Sequence, residues 1–92
     1  MLKIKIENMI SNRGYEVPNQ FIIKTDKGTF FQSYNSIIVF KSKNGKTYLD
    51  KHYWDYSKTT GKYRNMFLGE DKKETLKKIK TGEYILKDLN GV

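Results

Sequence analysis

Polar and apolar residues alternate at the start of the chain, with Leu2, Ile4 and Ile6 set against Lys3, Lys5 and Glu7. Period-two alternation predicts a half-buried strand over residues 1–7. Residues 8–20 contain Asn12, Gly14, Pro18 and Asn19 and read as a loop. Residues 20–25 and 29–34 are rich in β-branched and aromatic side chains and flank Asp26-Lys27-Gly28. Gly28 is free to take positive φ, so the pair reads as a hairpin with a three-residue turn. After Asn35-Ser36, residues 37–41 and 46–49 flank Ser42-Lys43-Asn44-Gly45. Asn-Gly tolerates the left-handed conformations of a tight turn and predicts a second hairpin. Such short connections place consecutive strands side by side, giving a five-stranded meander.

The pattern then changes. From residue 50 to 69 there is neither alternation nor a continuous helical stripe. The hydroxyls of Ser57-Lys58-Thr59-Thr60 can cap a short helix over 61–68, closed by Gly69. Residues 71–81 give the clearest helix. Glu70, Asp71 and Glu74 lie near its start and Lys77, Lys78 and Lys80 at its end, each sign matching the helix dipole, and Gly82 stops it. Its apolar stripe is narrow, Leu76 and Ile79, so one face packs and the rest is solvated. Alternation returns over 83–89 and predicts a sixth strand. With no repeat, linker or low-complexity tract, residues 1–92 read as a single α+β domain. The expected architecture is a twisted antiparallel sheet of five to six strands, two hairpins in a meander, with one or two short helices packed on one face.

Composition narrows the chemistry. Only 37% of the 92 residues are hydrophobic, so the core is thin, and seven Tyr, five Phe and one Trp do much of the apolar work. The absence of cysteine rules out disulfides and thiolate metal sites, and the single histidine, His52, cannot build a His-rich one. No cofactor motif is present. The longest apolar run, Ile37-Ile38-Val39-Phe40, is far short of the roughly 20 residues that cross a bilayer. The alternating start is unlike a signal peptide, so a cytoplasmic protein without a membrane partner is expected.

The net charge is +8, and 16 of the 18 basic residues are Lys, leaving Arg13 and Arg64. Lysine is a point charge without the planar fork that reads guanine, so this balance favours attraction to a phosphate backbone over base reading. A lysine-rich surface also serves solubility alone, and charge by itself does not name a partner.

Residues 51–69 mix Tyr53, Trp54, Tyr56 and Tyr63 with Lys51, Lys58, Lys62 and Arg64. Aromatic faces stack on bases, worth about 1–3 kcal/mol each, while Lys and Arg neutralise phosphates, so the mixture suits a sequence-tolerant nucleic-acid binder. Trp54 and Phe67 are expected in the core, and Tyr56, Lys58, Lys62 and Arg64 at the surface. Lys62-Tyr63-Arg64-Asn65, beside Gly61 and near an expected helix N-terminus, could hold an anion. No nucleotide-binding loop accompanies it. Lys73, Lys77 and Lys80 share one helix face, either a phosphate-contacting stripe or a solvated one. The candidate nucleic-acid site is therefore Lys58, Lys62, Arg64, Lys73 and Lys77 on phosphate, with Tyr56 and Tyr63 as stacking groups. His52, Asp55 and Ser57 lie close in sequence but lack a nucleophile elbow, and Asp55 and Ser57 read as local turn formers. No catalytic constellation is evident, and a non-enzymatic protein is expected. Gln32-Ser33-Tyr34-Asn35-Ser36 reads as the turn between two strands rather than a recognition loop.

The segments Asn19-Gln20-Phe21-Ile22-Ile23, Phe31-Gln32-Ser33-Tyr34-Asn35-Ser36-Ile37-Ile38 and Trp54-Asp55-Tyr56-Ser57-Lys58-Thr59-Thr60-Gly61-Lys62-Tyr63-Arg64-Asn65 resemble a family of small bacteriophage and mobile-element proteins of low-GC bacteria. The resemblance covers nearly the whole chain and ends in Gly82-Glu83-Tyr84-Ile85-Leu86. It implies an accessory protein that binds DNA or RNA, or one that disables a host defence protein in the manner of an anti-CRISPR. As such an inhibitor it would use the same aromatic segment as hot spots. A chain at +8 cannot imitate DNA, so it would have to occupy an acidic or apolar surface of the host factor. A weaker alternative is an assembly protein that pairs through an exposed strand edge.

Overall fold

The computed structural model describes residues 3–91, which form six strands and two helices. In chain order they are β1 (Ile4–Ile10), β2 (Glu16–Thr25), β3 (Gly28–Ser33), β4 (Ser36–Ser42), β5 (Thr47–Asp50), α1 (Lys58–Leu68), α2 (Lys72–Thr81) and β6 (Tyr84–Lys87). Met1 and Leu2, with which the expected first strand begins, lie outside the described residues. No helix among the described residues is long and apolar enough to cross a membrane.

The strands form one sheet in sequential order, so the expected meander and the α+β class are present. Four expectations need correction: the sheet's direction, the 8–20 loop, the β2–β3 turn and the start of α1. β6 pairs with β5 in parallel, so the sheet is mixed rather than wholly antiparallel. The two helices form a crossover, the kind of connection that parallel neighbours require. The loop expected over 8–20 is shorter than expected, because β1 continues to Ile10 and β2 starts at Glu16. Pro18 and Asn19 suggest a loop in sequence, yet both sit where the β1–β2 register shifts, with Asn8 facing Phe21 and Ile10 facing Glu16. A bulge leaves its extra residues outside the ladder, so the missing N–H of Pro18 costs no pairing there. The Asn8 side-chain amide donates to the Val17 carbonyl at 2.7 Å and helps satisfy the interrupted ladder.

The β2–β3 hairpin is also tighter than expected, since Thr25 pairs directly with Gly28 around Asp26-Lys27. Gly28 has φ 148°, and a Cβ there would lie 2.3 Å from the Lys41 carbonyl oxygen and 2.7 Å from the Phe40 ring. Both the backbone angle and the close approach of β4 require glycine.

Alternation assigns each row of the sheet to a face. Ile22, Phe31, Val39 and Leu49 are register partners across β2 to β5, and the last three are fully buried. Both helices cover this face. Phe67 of α1 stacks on Phe31 at 5.7 Å, and Ile79 of α2 packs against the same core. Ser57 caps α1 by accepting from the Thr60 amide, and Gly69 ends it in a left-handed conformation. α1 thus begins three residues before the start that the sequence predicts. Asp71 caps α2 through the Glu74 amide, with Gly82 as its stop.

Two buried carboxylates tie the elements together. Asp50, at the end of β5, accepts from the amides of His52, Tyr53 and Leu89, fixing both the turn into α1 and the chain after β6. Glu70, between the helices, accepts from the hydroxyls of Thr75 and Tyr84 and from the Lys78 ammonium, each at 2.7 Å. Burial opposes ionisation of Glu70, but these three donors outweigh it and hold the carboxyl below the usual range. The same junction pushes the Tyr84 phenol up to about 12, through burial first and the hydrogen bond to Glu70 second.

Candidate functional site

The first turns of α1 separate two concave surfaces. Ser57 caps the helix and Thr60 carries the packing: its hydroxyl lies 2.9 Å from that of Ser33 and also accepts from the hydroxyl of Ser57 at 3.2 Å. This pins the helix start to the end of β3. Tyr56 and Lys58, on either side of the cap, therefore face different hollows.

On one side lies an open groove of about 750 Å³ lined by Lys58, Lys62 and Lys72, with Asp55, Gly61 and Arg64 among its other walls. Asp55 bridges two cations there, Lys72 at 2.6 Å and Arg64 at 3.1 Å. Partial burial raises its pKa, but the hydrogen bonds from Lys72 and Arg64 prevail and hold the carboxyl below its ordinary value. Three exposed lysines against one ionised carboxylate leave the groove cationic, and Gly61 keeps that stretch of helix free of a side chain.

On the other side is a hollow of about 440 Å³ lined by Tyr34, Tyr53 and Tyr56, with Ser33, Ser36 and Thr60 among its other walls. Tyr53 and Tyr56 meet edge to face at 5.7 Å. Tyr34 comes from the β3–β4 turn and holds a left-handed backbone, φ 55°. Three tyrosines around one hollow can take a flat, partly polar group such as a base.

The sequence-predicted residues divide accordingly. Tyr56, Lys58 and Lys62 are exposed and lie along the two hollows. Arg64 does not belong to the surface that the sequence predicts for it: it is 1% exposed, and its guanidinium donates to the Trp54 carbonyl, Asp55 and Asn65. It also lies over the Trp54 ring, 5.1 Å from the centroid, so it acts as the pin between the 51–56 turn and α1. Tyr63 is 8% exposed and belongs to the core, which removes it as a stacking group. Both corrections follow from α1 starting at Lys58, which puts residues 62–65 inside the helix rather than at its anion-attracting end. Lys73 and Lys77 line a separate depression on α2 that also holds Glu70, Asp71 and Glu74. Trp54 and Phe67 pack against the core, as the sequence predicts. His52, Asp55 and Ser57 form no triad: Ser57 is a helix cap, Asp55 an ion-pair bridge, and the His52 ring lies edge-on to Tyr53.

Sequence reasoning did not select Tyr34, Tyr53 or Lys72. Tyr34 was readable only as part of a polar turn, and Lys72 only as one lysine in a helix.

The model of a family of unknown function (DUF8033) matches residues 4–83, and the chain belongs to that family. No curated protein and no solved structure matches it.

Proposed function

We propose that this family member binds single-stranded nucleic acid without catalysing a reaction, and with little sequence selectivity. Lys58, Lys62 and Lys72 neutralise phosphates along the groove, and Tyr34, Tyr53 and Tyr56 receive an unpaired base in the neighbouring hollow. One observation carries the reading: a cationic groove and a tyrosine hollow flank the same helix start, so adjacent parts of one nucleotide chain can occupy both. The charge of +8, almost all of it lysine, supports phosphate contact over base reading. A stacked base inside a duplex cannot enter the hollow, which favours a single strand.

Binding of matched single- and double-stranded oligonucleotides tests this. The single strand is expected to bind more tightly, and Tyr56→Ala to weaken it by about 1–3 kcal/mol, the usual worth of one stacked base. Equal affinity for the duplex, or no effect of Tyr56→Ala, would remove the tyrosine hollow from the account.

A further inference from the structure

Ile6, Ile23, Phe30, Phe40, Tyr48 and Ile85 are successive register partners, one from each strand, and form a row across the whole sheet. The row lies on the face turned away from both helices. None of its six residues is buried, whereas Phe31, Val39 and Leu49 on the opposite face are fully so. Phe30 and Phe40 stack at 4.3 Å with their planes 13° apart, and Tyr48 extends the stack 6.1 Å from Phe40. Uncovered apolar surface of this extent on a small domain marks a contact surface.

Charge and shape indicate its occupant. Strand alternation turns Lys5, Lys24 and Lys41 to the helix-covered side, where Lys5 and Lys24 pair with Glu7 and Lys41 reaches the Phe67 carbonyl. Of the strand lysines only Lys87 accompanies the row, its ammonium 5.5 Å from the Tyr48 ring. A polyanion therefore finds almost nothing to hold it there. A second copy of this chain finds a matching apolar surface, and two like-charged proteins can meet where the charge is lowest. The row has isoleucine at both ends and stacked rings at its centre, a pattern that a two-fold axis through the Phe30–Phe40 stack lays on itself.

We infer that two copies of the chain associate face to face through this row, leaving the helices and both hollows of each copy on the outside. Six strands about 4.8 Å apart, averaging roughly 20 Å in length, offer on the order of 500 Å² per copy. Some 1,000 Å² across the pair, roughly, is the lower limit for a specific interface, so the dimer is weak and concentration-dependent. Each copy carries +8, and salt screens their repulsion, so the dimer tightens as ionic strength rises. That is the opposite of phosphate-driven binding, which salt weakens.

Analytical ultracentrifugation of the full chain from low micromolar to near-millimolar concentration, in about 0.1 M and about 1 M salt, tests the inference. The expected result is a monomer–dimer equilibrium shifted towards dimer at high salt. Phe40→Lys should weaken it at least tenfold, by setting like charges across the two-fold. Ile6→Lys, on the exposed edge strand β1, gives the same reading should Phe40→Lys fail to fold. A monomer at every concentration and salt overturns the inference and leaves the row to a different, apolar partner. A dimer that Ile6→Lys leaves intact overturns it too. Oligonucleotide affinity of the same variants, measured at low salt and at the lowest protein concentrations, where the monomer prevails, reports on the groove and hollow independently of either outcome.

Discussion

The backbone amide of Tyr34 donates to the carbonyl oxygen of Asn19 at 2.7 Å, and both residues hold left-handed backbone angles, φ 55° and 64°. Asn19 sits in the β1–β2 bulge and Tyr34 in the β3–β4 turn, so the bond joins two irregular points of the sheet. Asparagine tolerates this conformation, but for a residue such as tyrosine it costs of order 1–2 kcal/mol. The Gln32 side chain adds a second restraint by donating to the Tyr34 carbonyl at 2.7 Å. These contacts hold the Tyr34 ring at the rim of the hollow.

Replacing Tyr34 with Asn therefore separates stability from binding. The left-handed backbone suits asparagine, so thermal stability is expected to hold or rise by up to ~1 kcal/mol. Affinity for a single-stranded oligonucleotide is expected to fall by about 1–3 kcal/mol with the lost ring. A variant that is destabilised yet binds normally would mean the ring serves packing alone.

Arg64→Ala is expected to destabilise the fold by about 2–4 kcal/mol in denaturant titration, because it removes a buried cation and strands the Trp54 carbonyl. Arg64→Lys should recover only part of this, since lysine lacks the fork that reaches Trp54, Asp55 and Asn65 together. Full stability with lost oligonucleotide binding would instead make Arg64 a phosphate contact.

Acid should weaken the fold through Asp55 and Glu70, whose carboxyls both lie below their ordinary values. A depressed folded-state pKa stabilises fully above the unfolded carboxylate range, near pH ~4, and the contribution is lost as pH falls through the folded value. Tyr84 acts at the other end. Its raised pKa favours the fold below pH ~10, and that contribution is lost as pH climbs towards 12. Stability measured against pH should show both limbs, and Glu70→Gln should make the acid limb shallower. An unchanged acid limb in Glu70→Gln would show that this network does not drive it.

Gln20 is fully buried on the helix-covered face, facing Ser33 across the β2–β3 ladder, and neither its side-chain nitrogen nor its oxygen has a partner. An unsatisfied buried amide costs about 1–3 kcal/mol, so Gln20→Met should raise stability by about 1 kcal/mol. A loss of stability would mean that the amide is paired, through a bound water, in solution.

Local signals in the sequence carried most of the fold. Asn44-Gly45, Gly69 and Gly82 mark chain reversals or helix ends by backbone chemistry that does not depend on the rest of the protein, and each stands where it was expected. The parallel docking of β6 and the extent of β2 through Pro18 depend on tertiary contacts, which periodicity does not encode. The site was legible where a residue's exposure follows from its own polarity, as with Lys58 and Lys62. Arg64 defeats that inference: an arginine buried inside a fold, its terminal guanidinium nitrogens bonded to Trp54, Asp55 and Asn65, reads in sequence like one at the surface. Tyr53 is legible only as one aromatic of the 51–69 segment, and Tyr34 only as part of a polar turn, because the hollow is assembled from residues 33–36 and 53–60, remote in sequence and joined by the Ser33–Thr60 hydroxyl contact.

The salt dependence of single-strand binding tests the central claim most directly. Each phosphate neutralised on a single strand contributes about −0.7 to the slope of log K against log salt, so three lysines in the groove predict a slope near −2. Lys58→Gln with Lys62→Gln removes two of the contacts and should flatten that slope by about 1.4 without lowering thermal stability. Affinity that ignores salt, or a slope that the double variant leaves unchanged, would contradict phosphate binding in this groove.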